Sequence, residues 1–142
     1  MTARIQHRLG VTASRERIWE VLSDLANWGE WNPLYPKAEG TISFGGRLVL
    51  TEHQAGKAPE PIVFKVSDWA PGEHLIMNAP AGFMASRIQY VEIDGLQREG
   101  CILACGVIFK GWGEAKLKKA NQGLRAGFEA MCEGLKAKAE AT

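Results

Sequence analysis

Three histidines are the first side chains in this 142-residue sequence whose chemistry could support catalysis. His7 alternates with Ile5 and Leu9 along a predicted strand, while His53 is expected at a strand end and His74 after a turn. General acid–base catalysis needs a histidine or carboxylate within reach of the substrate, and no spacing here enforces such a pair. We interpret His7 as a core or cavity-wall residue, with an acid–base role as the alternative, and no catalytic residue is assigned.

Arg87 and Tyr90 fall on opposite faces of another predicted strand, because side chains alternate along a strand. The sequence does not show which face points inward. An inward Arg87 would pair with a ligand carboxylate or phenolate, or with a buried acid, whereas an outward Arg87 would be an ordinary surface charge. Glu52 and Arg47 are expected to lie on an exposed strand beside His53.

Aromatic and flexible apolar side chains favour ligand binding over catalysis, because they suit a pocket for planar apolar molecules. Asn121 lies at the margin of an apolar helical stripe, where it could bind a polar group of a ligand or water. Plain core packing is the alternative for each candidate. The candidate ligand-binding residues are Trp31, Tyr35, Phe83, Arg87, Tyr90, Asn121, Leu124, Gly127 and Phe128.

Metal and cofactor sites have little support in the sequence. Scattered histidines and the lack of a paired carboxylate cluster give no spacing typical of metal ligands. Gly45-Gly46 lies between predicted strands, so it does not form a phosphate-binding loop before a helix. Cys101, Cys105 and Cys132 form no CxxC motif, which fits small buried hydrophobic residues in a reduced cytoplasmic protein. A redox or nucleophilic role is the weaker alternative, because no histidine or cationic side chain is an obvious partner. We therefore predict no metal and no cofactor.

Charge and hydropathy limit the partners that the chain could have. It carries 17 basic and 16 acidic residues, a net charge of +1, with no basic run. This argues against nucleic acid and against an anionic membrane as electrostatic partners. No apolar run approaches the roughly 20 residues needed to span a bilayer, so no stable membrane insertion is expected. The first ten residues lack the apolar segment of a signal peptide, which favours a cytoplasmic location; a homodimer remains possible.

The C-terminal stretch, residues 113–139, is predicted to be one long amphipathic helix. Glycines inside a helix each cost about 1 kcal/mol relative to alanine, so something must compensate for them. Either another backbone packs closely against them, or the helix borders a cavity. The apolar stripe is Leu117, Leu124, Phe128, Met131 and Leu135; the small-residue stripe is Ala120, Gly123, Gly127, Ala130 and Gly134.

The rest of the chain has the pattern of one α+β domain spanning residues 1–142. A helix is predicted over residues 15–26, with its N-cap at Ser14, and a short helical turn over 28–31. Short connections between consecutive strands favour an antiparallel meander. The predicted strands span residues 3–9, 37–43, 47–53, 62–69, 74–78, 84–93 and 96–110, with turns at 45–46, 71–72, 79–82 and 94–95.

Three stretches of the sequence, in this order and spacing, resemble the START-like (SRPBCC) helix-grip superfamily, which includes polyketide cyclase-like and plant allergen-like proteins. Residues 11–28, VTASRERIWEVLSDLANW, are similar to the opening helix of the family. Trp31-Asn32-Pro33 is similar to the tryptophan-bearing turn that follows, and residues 127–136 to the closing helix. The resemblance covers nearly the whole chain.

The resemblance implies a seven-stranded antiparallel sheet wrapped around the C-terminal helix, with two short helices after the first strand and a mostly apolar internal cavity. It therefore favours the cavity interpretation of the small-residue stripe. The leading functional hypothesis is binding of a small hydrophobic ligand, lipid-like or aromatic, in that cavity. One alternative is a metal-free enzyme of the polyketide cyclase/aromatase kind, with His7, His53 or Arg87 inside the cavity. The other is a protein-interaction or chaperone co-factor role, which predicts a filled core and an exposed apolar patch.

Overall fold

The computed structural model describes residues 3–96 and 100–141 and shows an α+β helix-grip architecture, as predicted. All neighbouring strands pair antiparallel, in the order β1-β7-β6-β5-β4-β3-β2. The strands are β1 (Ala3–Val11), β2 (Lys37–Gly40), β3 (Arg47–Glu52), β4 (Glu60–Ala70), β5 (His74–Gly82), β6 (Ala85–Gly95) and β7 (Cys101–Gly111). The helices are α1 (Arg15–Ser23), a 3₁₀ helix (Leu25–Glu30), α2 (Glu114–Ala120) and α3 (Gly123–Glu140).

Helix α1 begins where the sequence predicts. The hydroxyl of Ser14 accepts a hydrogen bond from the backbone N–H of Arg17 at 3.1 Å, which satisfies one of the free N–H groups of the first turn. Ile18, Val21 and Leu22 then recur at helical spacing and are buried.

The core lies between the concave face of the sheet and α3, which packs on β1, α1 and β7. Large side chains from the sheet, the 3₁₀ helix and α3 fill most of this space. The largest fully buried side chains include Trp28, Tyr35, Phe64, Phe109, Phe128, Leu34, Leu48 and Leu50. The interior of the grip is therefore mainly a packed core, and open space remains toward its ends.

The predicted single C-terminal helix is broken between α2 and α3, at Asn121 and Gln122. The Asn121 side chain donates a hydrogen bond to the Leu117 carbonyl oxygen at 2.8 Å, which competes with regular helix hydrogen bonding. A Cβ atom on Gly123, the first residue of α3, would lie 2.7 Å from the Ala55 carbonyl oxygen. The loop after β3 therefore packs directly against the break.

The glycines of the small-residue stripe are a packing surface and not the wall of a cavity, so the cavity interpretation is wrong for these residues. A Cβ on Gly127 would lie 2.7 Å from Cδ1 of Leu34. A Cβ on Gly134 would overlap with the carbonyl oxygen of Trp31. The glycines let the segment after the 3₁₀ helix approach the α3 backbone, which compensates for their low helix propensity.

Two predicted turns also differ from the structure. Residues 79–82 belong to β5, and the tight turn to β6 falls on Phe83 and Met84 instead. Met84 has a φ of 49°, an uncommon conformation for a residue with a side chain. Residues 94–95 complete β6, and β7 begins at Cys101; the predicted strand start at 96–100 includes residues 97–99, which lie outside the described residues.

Candidate functional site

A cavity of about 250 Å³ opens at the end of the sheet next to the break between α2 and α3. Its walls come from the end of β3 and the loop after it, the starts of β4 and β6, the ends of β5 and β7, and the helix break. We call it the polar cavity, because six of its lining residues carry charged or amide side chains. The lining residues are Glu52, Gln54, Lys57, Ala58, Glu60, Ile62, Pro80, Ala81, Arg87, Phe109 and Asn121.

The inner wall of the polar cavity is a buried ion pair between Arg87 of β6 and Glu52 of β3. Nη2 of Arg87 lies 2.8 Å from Oε2 of Glu52, and the two residues are only 5% and 6% exposed. Arg87 also donates to the amide oxygen of Gln89 at 2.6 Å. In a water-poor site, such charge-assisted hydrogen bonds hold both side chains in one orientation.

Tyr35 completes this polar cluster from below. Its hydroxyl donates to Oε2 of Glu52 at 2.7 Å and accepts from the amide of Gln89 at 2.5 Å. Burial raises the pKa of the Tyr35 phenol far above its ordinary value. The positive charge of Arg87 lowers this pKa, but the effect of burial is larger. Tyr35 is therefore a neutral hydrogen-bonding group in this site.

Arg87 lies between two aromatic rings. Its guanidinium carbon is 5.4 Å from the centre of the Phe64 ring and 6.0 Å from that of Phe109. Burial favours loss of its charge, but Tyr35 and Glu52 outweigh burial, so the pKa of Arg87 lies above its ordinary value. Among the described residues, its buried Nε has no hydrogen-bond partner.

The rim of the polar cavity carries further hydrogen-bonding groups. The Asn121 side-chain oxygen accepts from Gln54 Nε2 at 3.2 Å and from Lys57 Nζ at 2.9 Å. Gln54 also donates to Glu52 at 3.2 Å, which connects the rim to the buried ion pair. Asn121, at the helix break, therefore belongs to a polar network with Gln54 and Lys57. The single helix predicted from sequence did not indicate this network.

An apolar hollow of about 230 Å³ adjoins the polar cavity, and Ala81 lines both. The rings of Phe83 and Trp112 meet edge-to-face in its wall, with centroids 6.0 Å apart. Leu117 and Lys116 of α2 line the opposite side. Together the two spaces offer polar groups at the inner end and aromatic surface at the outer end.

Four predicted ligand-binding residues contribute to this site. Arg87 and Asn121 line the polar cavity, Phe83 lines the apolar hollow, and the Tyr35 hydroxyl belongs to the cluster behind the cavity wall. The open question about Arg87 is thereby answered: it points inward and pairs with a buried acid.

The other predicted residues lie elsewhere. Leu124 and Phe128 are fully buried in the core, and Gly127 packs against Leu34; of the described residues, none from α3 lines the polar cavity or the apolar hollow. Trp31 packs against Trp28, with ring centroids 5.5 Å apart. Their placement in a cavity wall is therefore corrected, because Trp31, Leu124 and Phe128 pack in the core and Leu34 covers Gly127.

Tyr90 is also corrected, because it lies on the face of β6 opposite to Arg87. Its hydroxyl donates to the side chain of Gln6, and the Arg4 guanidinium carbon lies 5.7 Å from its ring centre. Gly106 on the neighbouring strand leaves room for the ring. Tyr90 therefore belongs to the convex face of the sheet.

Sequence reasoning missed Glu52, Gln54 and Gln89. Glu52 was expected to be exposed, yet it follows Leu48 and Leu50 at alternate positions of β3, and all three are buried. This alternation is a signal that could have placed Glu52 on the inner face.

None of the three histidines lines the polar cavity, although His53 lies between Glu52 and Gln54 in the chain. His7 is half-buried on β1, His53 is exposed, and the His74 ring is 3.0 Å from the Asp68 carboxylate. Among residues 3–96 and 100–141, no group of three or more histidine, cysteine, aspartate or glutamate side chains could hold a metal ion. No described helix is long and apolar enough to cross a membrane.

The sequence matches a family model described as polyketide cyclase/dehydrase and lipid transport, over residues 2–140. The chain belongs to this family. Membership agrees with the START-like resemblance and with the fold. No curated protein matches the chain.

Solved structures of similar fold come from several branches of the START-like superfamily. Norcoclaurine synthase from Thalictrum flavum is 17% identical, with a TM-score of 0.73 over 100% of this chain and 96% of that one. An aromatase/cyclase from a Streptomyces species is 19% identical, with a TM-score of 0.74 over 99% and 94%. A START superfamily protein from Mycobacterium smegmatis is 16% identical, with a TM-score of 0.75 over 96% and 97%. At these identities the likeness shows the fold of this family member and not its ligand.

Proposed function

We propose that this protein binds a small amphipathic molecule, aromatic or lipid-like, with its polar end in the polar cavity and its apolar part in the apolar hollow. The observation that carries the proposal is that Ala81 lines both spaces, so a polar and an apolar surface lie side by side. Ligand sites commonly combine apolar walls with a few fixed polar groups, in volumes of about 300–1,000 Å³. The two spaces together reach the lower part of that range.

The polar cavity can recognise an oxygen-rich group. Arg87 lines the inner end of the cavity, and the Lys57 ammonium at the rim uses only one of its three N–H bonds on Asn121. A ligand carbonyl, phenol or carboxylate could accept hydrogen bonds from these groups. The acidic residue Glu52 is already bound to Arg87 and Tyr35, so its carboxylate would repel a ligand anion less than a free one.

The apolar hollow suits an aromatic or branched apolar group, because Phe83 and Trp112 present ring edges and faces beside Leu117. A related fold supports this chemistry: norcoclaurine synthase has been crystallised with dopamine and hydroxybenzaldehyde. The family description, with lipid transport beside cyclase activity, is compatible with either a carrier or an enzyme.

An enzyme of the cyclase kind is the second candidate. The observation that favours it is that a carboxylate, Glu52, and a guanidinium, Arg87, line one cavity. A carboxylate could take a proton from a substrate, and a guanidinium could stabilise the oxyanion that forms. Orientation of a flexible substrate would supply further rate. Turnover that Glu52→Gln abolishes while substrate binding persists would favour this candidate over a carrier.

The binding proposal is tested with anilinonaphthalene sulfonate, an aromatic anion that fluoresces in apolar sites. Ala81→Phe should fill the junction of the two spaces and strongly reduce probe binding. Ala126→Phe is the matched control, because Ala126 is exposed on α3. Circular dichroism checks the fold, and Ala81→Leu replaces Ala81→Phe if the larger side chain unfolds the protein. Equal probe binding by a folded Ala81 variant and the wild type would overturn the proposal.

Native mass spectrometry of the purified protein, followed by denaturing extraction, addresses the natural ligand. A co-purifying amphipathic molecule that Ala81→Phe fails to retain would support the proposal and reveal the ligand class. A molecule retained equally by Ala81→Phe would show that the binding site lies elsewhere.

A further inference from the structure

Three strongly exposed apolar side chains lie together beside the opening of the site. Phe83, Met84 and Trp112 are 73%, 77% and 70% exposed. Phe83 and Trp112 are in ring contact, and the backbone N–H of Trp112 donates to the Met84 carbonyl oxygen at 3.2 Å. We call these three residues the aromatic tip. Exposed apolar groups that cluster in this way mark interaction surfaces.

A local excess of positive charge accompanies the aromatic tip, although the near-neutral charge of the whole chain argued against an anionic membrane as a partner. Residues 109–120 contain four lysines and one glutamate, a net charge of +3. Lys116 lines the same apolar hollow as Phe83, and Lys119 follows less than one turn later on α2. Lys110 precedes Trp112 by two residues and is exposed. In the described part of the chain, none of the four lysines forms a salt bridge.

We propose that the aromatic tip docks on the surface of a bilayer that contains anionic lipids, with the neighbouring lysines at the level of the headgroups. Tryptophan and phenylalanine partition into the membrane interface, and lysines are attracted to anionic lipid. This is peripheral binding by a hairpin turn, which needs no helix across the bilayer. The inference does not depend on which molecule fills the polar cavity.

The charges near the aromatic tip favour a bilayer over a second copy of the chain as the partner that the tip contacts. A two-fold dimer would place the same patch of each protomer against itself. The four lysines beside one tip would then face the four lysines beside the other, and their like charges would repel. An anionic lipid surface has the opposite sign and a fluid apolar layer that accepts protruding side chains of any shape.

Docking at this position would bring the opening of the site to the membrane. Phe83 and Trp112 belong both to the tip and to the wall of the apolar hollow, and the hollow meets the polar cavity at Ala81. An amphipathic molecule could then pass between bilayer and cavity with little exposure of its apolar part to water.

Vesicle flotation tests the docking. The probes are phosphatidylcholine vesicles with and without phosphatidylglycerol. Wild-type protein should float with the anionic vesicles, and added salt should weaken binding. The Phe83→Ala/Trp112→Ala double variant should lower the partition coefficient by roughly tenfold or more, because two interfacial anchors are lost.

The matched control is Phe44→Ala, because Phe44 is 71% exposed and lies away from the tip, against Trp69. Phe44→Ala should bind vesicles like the wild type. Lys116→Gln/Lys119→Gln should weaken binding to the anionic vesicles and reduce its salt dependence. If the double tip variant fails to fold, this lysine variant decides the question.

Three results would overturn the proposal. The first is a wild-type protein that floats with neither kind of vesicle, and the second is a Phe44→Ala variant that loses as much binding as the tip variant. The third is a stable dimer in light scattering that Phe83→Ala/Trp112→Ala converts to a monomer, which would identify the tip as a dimer interface. The assay with anilinonaphthalene sulfonate contains no lipid, so failure of docking and failure of the binding proposal are separate outcomes.

Discussion

Nη2 of Arg87 lies 2.8 Å from Oε2 of Glu52, although β5 and β4 separate their strands in the sheet. The two side chains meet because the sheet curls. Register shifts between Val66 and Asp68 in β4, and between Pro80 and Gly82 in β5, mark positions where β-bulges add to this curvature. The ion pair thus links β6 to β3 across the curved sheet, at the inner wall of the polar cavity.

Removing one partner of this buried pair should be costly. We expect Glu52→Gln to lower the free energy of unfolding by about 3–5 kcal/mol, because it leaves the Arg87 charge buried without a counter-charge. Urea denaturation measures the change. The double variant Glu52→Leu/Arg87→Met should recover much of the loss, since it removes both charges.

The control is the pair Lys37–Glu39, whose side chains are 3.8 Å apart and exposed. Glu39→Gln should change the free energy of unfolding by less than about 1 kcal/mol, as is usual for surface ion pairs. Similar losses for Glu52→Gln and Glu39→Gln would contradict the role assigned to the buried pair.

Glycine at position 134 should be required despite its location inside α3. Gly134→Ala should destabilise the protein, even though alanine favours a helix by about 1 kcal/mol over glycine, because the added Cβ would overlap with the Trp31 carbonyl oxygen. Gly127→Ala should cost less, since its added Cβ meets only the flexible end of Leu34. Thermal unfolding midpoints should fall in the order wild type, Gly127→Ala, Gly134→Ala.

A helix-propensity control is available at an exposed position of α3. Ala126→Gly should cost about 1 kcal/mol through propensity alone. A Gly134→Ala variant as stable as the wild type would show that α3 can move away from Trp31, contrary to the packing described.

Alkaline pH should destabilise the protein in part through Tyr35. The pKa of its phenol is raised in the folded state, chiefly by burial, whereas an unfolded tyrosine loses its proton near pH 10. Above about pH 10 the unfolded state therefore binds fewer protons than the native state, so the free energy of unfolding declines as pH rises.

Tyr35→Phe should make that alkaline decline shallower. At neutral pH the same variant should lose about 1–3 kcal/mol, because Glu52 and Gln89 lose a hydrogen-bond partner. Denaturant unfolding between about pH 8 and 11 measures both effects. An identical pH dependence for Tyr35→Phe and the wild type would be incompatible with a buried neutral phenol.

Met84 should be replaceable with a gain in stability. Its φ of 49° is unfavourable for methionine, and its side chain is mostly exposed, so little packing is lost when it is changed. Met84→Asn should raise the free energy of unfolding by about 0.5–1 kcal/mol, because asparagine adopts this conformation more readily. A fall in thermal midpoint, with Ser86→Asn as the control outside the turn, would mean that the Met84 side chain makes contacts that matter.

The sequence by itself determined much of the fold. Apolar periodicity identified α1 and the apolar stripe of α3, and alternation with short turns predicted the antiparallel meander. These features depend on neighbours along the chain, which the sequence contains. The alternation of Leu48, Leu50 and Glu52 along β3 also indicates that Glu52 points inward. A single acid after apolar residues does not reveal, however, which partner makes its burial possible.

Only the tertiary structure decided which residues form the site. Arg87 and Glu52 are 35 positions apart, and their contact depends on sheet curvature that accumulates over several strands. The glycines of α3 showed that something approaches closely, but not whether it is protein or ligand; the structure places Leu34 and Trp31 there. The loop that follows β3 packs against the helix break at Asn121. Side chains that converge from such distant segments have no common pattern in sequence.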